Sequence, residues 1–68
     1  MKNTLRMERA RLGLTQEEFA KKVQVSRQTI HAIETGKFLP SCMLALKIAH
    51  VCKQRVEEIF FLEEEDWE

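Results

Sequence analysis

"LTQEEFAKKVQVSRQTIHAIETGK", Leu14–Lys37, is the stretch that decides the fold. Thr15 followed by Glu18 is a capping box: the hydroxyl accepts from the third helical amide, and the carboxylate reaches back to the cap amide. Phe19, Ala20 and Val23 then make one apolar stripe. Lys21 and Lys22 sit in the last turn, where the helix dipole favours cations. After the brief "QVS", Ser26 reads as the cap of a further helix. Ile30 and Ile33 point inward, and Gly36 ends that helix in the left-handed conformation. Two helices joined by so short a turn cannot pack antiparallel. They cross, as in a helix-turn-helix.

The second of these helices carries two faces. With successive residues 100° apart and Ile30 at zero, the buried direction lies at about 330°. The opposite direction holds Gln28, His31, Ala32 and Thr35, and Arg27 flanks them near the helix start. A helix of this width fits the DNA major groove. There Gln can pair with adenine N6 and N7, Arg with guanine O6 and N7, and a methyl group can touch that of thymine. Small Ala32 permits close approach. Patterning alone leaves a second reading open, that of an ordinary solvated helix face.

Outward from this pair, Leu5, Arg9 and Leu12 share one face of a first helix that closes near Gly13, and Glu8 interrupts its stripe. "KFLPS" is a connector, since Pro40 cannot continue a helix and Ser41 caps the next. "CMLALKIAHVC" is a strongly apolar fourth helix with Leu44, Leu46, Ile48, Ala49 and Cys52 as core candidates. "KQR" reads as a turn. "VEEIFFL" gives a short fifth helix or a helix-to-strand transition, and "EEEDWE" trails off. The expectation is an all-α fold, a bundle of four to five short helices, with a short C-terminal strand or arm as the variant. Residues 1–62 form one domain and residues 63–68 an acidic tail.

A chain of 68 residues is one domain at most. Its net charge of zero conceals an asymmetry. Up to Arg55 there are eleven basic residues against four acidic ones, a net +7; residues 56–68 hold seven acids and no base. A basic body with an acidic tail hints at a polyanionic partner, although a merely solubilising tail is the plainer reading. No apolar run approaches the ~18 residues of a membrane span, and the N-terminus lacks the apolar core of a signal peptide. Cys42 and Cys52 are spaced neither as a redox pair nor as a zinc site, so both are expected as small buried hydrophobes in a reducing cytoplasm. No metal or other cofactor is expected. No nucleophile–base–acid constellation is evident either, since His50, Cys52 and Glu57 are dispersed, and an enzyme is not expected.

The run "SRQTI-AIE-GK", within a match over residues 5–62, resembles the helix-turn-helix family of Cro and the phage repressors, lambda-repressor-like in fold. It most resembles the short, single-domain prokaryotic members. The resemblance implies that Gln16 steadies a phosphate and buttresses the recognition helix. It implies that Arg27, Gln28, Thr29, His31 and Ala32 meet base edges or flanking phosphates. Ser26, at the cap, and Lys37, after the helix, are expected at phosphates. Arg9 and Glu34 match a family ion pair, which accounts for an arginine in an apolar stripe. Three positions depart from the pattern. Gln24 stands where the turn usually has Gly, His31 where a small residue is common, and the two cysteines where larger apolar residues are common.

The resemblance further implies a cytoplasmic transcriptional regulator, a repressor, bound to palindromic double-stranded DNA as a homodimer. Val56, Ile59, Phe60, Phe61, Leu62 and Trp67 are more bulky apolar groups than one small core absorbs, and they are the expected dimer surface. The competing reading of two of them is that Ile59 and Phe60 close the core of the single chain. A competing function is a protein-interaction module, an antitoxin or adaptor with secondary DNA binding, served by "IFFLEEEDWE".

Overall fold

Four helices end in the same way, and that repetition shapes the molecule. In the computed structural model, which describes residues 1–68, the elements in chain order are β1 (Lys2–Asn3), α1 (Leu5–Arg11), α2 (Gln16–Val23), α3 (Arg27–Glu34), α4 (Cys42–Cys52), α5 (Val56–Ile59) and β2 (Phe60–Phe61), followed by a 3₁₀ turn over Glu64–Trp67. After α1 to α4 the chain turns through one left-handed residue: Gly13, Gln24, Gly36 and Lys53. At each, paired bonds of the Schellman type close the helix. After α2 these are Gln24 N–H to Lys21 O and Val25 N–H to Ala20 O, at 3.3 and 3.0 Å. Two of the four positions carry a side chain where glycine would be free of strain.

The helix starts follow the sequence. Thr15 Oγ1 accepts from Glu18 N–H at 3.1 Å, and Glu18 Oε1 accepts from Thr15 N–H at 2.8 Å. Ser26 and Ser41 cap α3 and α4 through their hydroxyls, each at 3.2 Å. At α5, Glu58 Oε1 accepts from Arg55 N–H at 3.0 Å.

The core is one cluster: Leu5, Phe19, Ala20, Val23, Ile30, Ile33, Ile48, Ala49, Cys52, Ile59 and Phe60. It draws on every helix and on β2, and α2 and α3 are its most intimate pair. Arg11, which Glu8 steadies, donates to Cys52 O at 2.8 Å. That bond satisfies a carbonyl at the end of α4 and ties α1 to it. No helix is long and apolar enough to cross a membrane.

The structure corrects several expectations. Leu46 is 58% exposed, not core; α4 is apolar nearly all round, so periodicity could not choose its buried face. Cys42 is exposed, at the first turn on the outer side of α4, and only Cys52 is buried. Ile59 and Phe60 are 0% and 8% exposed. They close the core of the single chain and leave the expected dimer surface. The C-terminus does not trail off. Asp66 Oδ2 accepts from Glu63 N–H at 2.7 Å, and Glu63 also pairs with the Met1 ammonium at 2.9 Å. Finally, β1 pairs antiparallel with β2, Lys2 opposite Phe61 and Asn3 opposite Phe60, a two-stranded sheet of which only the second strand was expected.

Candidate nucleic-acid interface

Ile30 and Ile33 anchor α3 to α2 and the rest of the core, with essentially no exposed surface. Directly opposite, Arg27, Gln28, His31 and Thr35 are exposed, and Ala32 is half-buried among them. The side chains expected at the site therefore fall into two groups. Arg27, Gln28 and Lys37 are exposed and take part in no ion pair within the protein. Ser26 and Thr29 are occupied. Ser26 Oγ accepts from Thr29 N–H, and the two hydroxyls lie 3.0 Å apart. Their first duty is to start the helix, and half-buried Thr29 offers little surface. Thr35, at the other end, turns its hydroxyl back to His31 O at 3.0 Å.

Behind the exposed face lies a polar joint linking three helices. Arg9 Nε donates to Glu34 Oε2 at 2.7 Å and Arg9 Nη2 to Oε1 at 3.2 Å, a two-pronged pair from α1 to α3. Arg9 Nη1 also donates to Leu14 O at 3.0 Å, at the entrance to α2. Gln16, the first residue of α2, donates from Nε2 to Glu34 Oε1 at 3.1 Å. The same nitrogen lies 3.3 Å from His31 Nδ1. The Glu34 side chain is 4% exposed. Burial pushes its carboxyl up, but the bonds from Arg9 and Gln16 outweigh burial and hold it below the ordinary carboxylate value. The same bond from Glu34 raises Arg9. A buried carboxylate is tolerable only with such partners, because its desolvation would otherwise dominate.

Arg6, Arg9, Gln16, His31, Glu34 and Thr35 line a small polar cleft of about 190 Å³ over this joint. Arg6 was not singled out from the sequence; its place one helical turn before Arg9 was the available signal. Of three larger clefts, one of about 300 Å³ lies between β1 and the end of α3 and includes Thr35, and two, about 590 and 460 Å³, lie along α4 and include Lys22, His50 and Val51. The two along α4 share no residue with the exposed face of α3. Cys52 offers no competing nucleophile. Burial pushes its thiol up to about 11, so it stays protonated at neutral pH.

Two crossed helices, a three-residue turn, a polar outward face and an ion-paired joint behind it define a helix-turn-helix protein. The profile of the helix-turn-helix family matches residues 5–59, and the chain belongs to that family of DNA-binding regulators, in its Cro and phage-repressor branch. It is 53% identical over 66 residues to MJ0272 of Methanocaldococcus jannaschii, covering 97% of this chain and all of the relative. It is 47% identical over 66 residues to YgzD of Bacillus subtilis, covering 97% of this chain and all of that one. Both bear the name uncharacterised HTH-type transcriptional regulator. Among solved structures, it is similar to the restriction-modification controller protein C.AhdI of Aeromonas hydrophila. The TM-score is 0.76 at 30% identity, with 82% of this chain and 85% of that one covered. It is also similar to the clp gene regulator ClgR of Corynebacterium glutamicum, with a TM-score of 0.74 at 30% identity, covering 79% of this chain and 57% of that one.

Proposed function

We propose that the chain is a sequence-specific transcriptional repressor that binds a palindromic operator as a homodimer, with α3 in the major groove. The observation that carries this reading is the polarity of α3: Ile30 and Ile33 wholly buried, and Arg27, Gln28 and His31 exposed opposite them without structural employment for the first two. Gln28 and Arg27 are the base readers, with Ala32 allowing close approach. Lys37, just past the helix, meets phosphate. So do the amides at the starts of α2 and α3, beside Gln16 and Ser26, where the helix dipole favours an anion.

One recognition helix reads only a few base pairs. Two of them, about 34 Å apart on a two-fold axis, read a palindrome. Phe61, Leu62 and Trp67 supply the pairing surface; they are 41%, 62% and 77% exposed, with half-buried Val56 beside them. Glu63–Glu68 cannot usefully approach phosphates, and we place this acidic turn toward the dimer axis. Such a repressor acts by occupying the operator.

A second reading, a protein-interaction module, is favoured by Trp67 standing exposed among acids and by exposed Leu39, Met43 and Leu46. Selection from a random duplex library, with sedimentation of the protein alone, separates the two. A palindromic consensus and a dimer are the expected results. A monomer that selects no duplex overturns the first reading.

A further inference from the structure

Gln16, His31 and Glu34 together fix which nitrogen of His31 carries its proton. The carboxylate sets the amide of Gln16. With the amide turned over, Gln16 Oε1 would face Glu34 Oε1, acceptor against acceptor. The amide nitrogen therefore points to both neighbours, at 3.1 Å from Glu34 Oε1 and 3.3 Å from His31 Nδ1. Its two hydrogens are spent on these two acceptors. Nδ1 then has to accept, and in a neutral imidazole the proton sits on Nε2. Arg9 completes the chain by holding Glu34 from the far side. Arg9 and Gln16 both donate to Glu34, and the second hydrogen of the Gln16 amide is the one left for His31. The charged groups facing this ring across the cleft are Arg6 and Arg9 of α1 and Glu34 of α3.

We infer that His31 is a specificity-determining residue which presents a single fixed Nε2–H donor to the major groove. It selects a base edge bearing an acceptor there (purine N7, guanine O6 or thymine O4) and disfavours cytosine, whose only polar group in that groove is the N4 donor. This deepens the proposed function and rests on its placement of α3. A free imidazole could present either a donor or an acceptor by changing tautomer; the bond to Gln16 removes that choice. The same arrangement leaves Gln16 only its Oε1, an acceptor, so its side chain has no hydrogen left for a phosphate. The phosphate near α2 takes backbone amides instead.

Two measurements on the full chain test this. Long-range ¹⁵N correlation spectra at about pH 8 report the tautomer of His31. The expected result is the Nε2–H form in the wild type and averaged tautomers in Gln16→Met. A proton on Nδ1 in the wild type, or an unchanged tautomer in the variant, overturns the lock. Binding is then measured to the duplex the wild type selects, with all four base pairs placed in turn at each position. At one position per half-site the wild type should disfavour cytosine by about tenfold, the scale of one lost hydrogen bond. His31→Ala should be flat there to within about twofold, and Gln16→Met partly relaxed, with preferences elsewhere retained. If the wild type discriminates among duplexes but His31→Ala keeps every preference, the inference fails and the proposed function stands. If the wild type prefers no duplex at all, both fail.

Discussion

Replacing Arg9 by Met removes the guanidinium that holds Glu34 while keeping most of the apolar stem. Glu34 would then be almost fully buried with Gln16 as its one remaining partner. Stranding a buried charge in this way costs about 3–5 kcal/mol. A domain of this length has about 3–10 kcal/mol in all, so Arg9→Met should sit at the edge of unfolding. Urea titrations in sulfate, which strengthens burial, keep the variant measurable. The double variant Arg9→Met, Glu34→Met removes both charges. It should recover most of the loss, falling short by about 1 kcal/mol per bond left unmade at Leu14 O and at Gln16.

The pH dependence gives an independent sign. In the wild type Glu34 is held below its ordinary value of 4.5. Its stabilising contribution is therefore present above that value and is lost as pH falls through the lower, folded one. In Arg9→Met the largest influence left on Glu34 is burial, which raises it. The contribution reverses: the variant should regain stability as pH falls toward 4.5. Glu18 and Asp66, also lowered by their own bonds, titrate alike in both proteins and cancel in the difference. A cost under about 1 kcal/mol for Arg9→Met, or a double variant as unstable as the single, would refute the claim that this pair is a buried joint.

Gln24 and Lys53 hold left-handed backbone, at φ 64° and 55°. Gln24→Gly should relieve about 1–2 kcal/mol of strain against about 0.5–1 kcal/mol of added unfolded-state entropy, after losing only an exposed bond from Lys47 at 3.1 Å. The net gain of about 0.5–1 kcal/mol reads out as a rise of a few degrees in Tm; a fall would mean that the turn is not strained. Ile59→Ala should cost about 2–5 kcal/mol by chemical denaturation, because Ile59 fills the protomer core; a cost near zero would return it to the dimer surface. Leu62→Lys should leave secondary structure unchanged and shift sedimentation toward the monomer, whereas an unaltered dimer would move the contact elsewhere.

Much of this fold was legible in the sequence because short-range chemistry wrote it. Thr15 with Glu18, and Ser26, Ser41 and Gly36 in their places, each announce a helix end within four residues. What could not be read depends on distant partners. β1 is two residues long, has no periodicity, and pairs with Phe60 and Phe61 at the far end of the chain. The apolar excess of α4 hid its buried side, so Leu46 was read as core. In "VEEIFFL" the number of bulky groups was plain, but their division between core and surface was not. At the candidate site the exposed face of α3 followed from a helical wheel. The bond between Gln16 and His31 did not, because it depends on how α2 crosses α3.

The central claim is a split across α3 and its flank between residues that read bases and residues that hold the backbone. It is tested most directly by the salt dependence of affinity for wild type, Gln28→Ala and Lys37→Ala, each on the selected duplex and on random duplex. Gln28→Ala should lose about 1–3 kcal/mol on the selected duplex alone, with the salt slope kept. Lys37→Ala should weaken binding to both duplexes alike and flatten the slope by about one. Equal losses on both duplexes for both variants would contradict the claim.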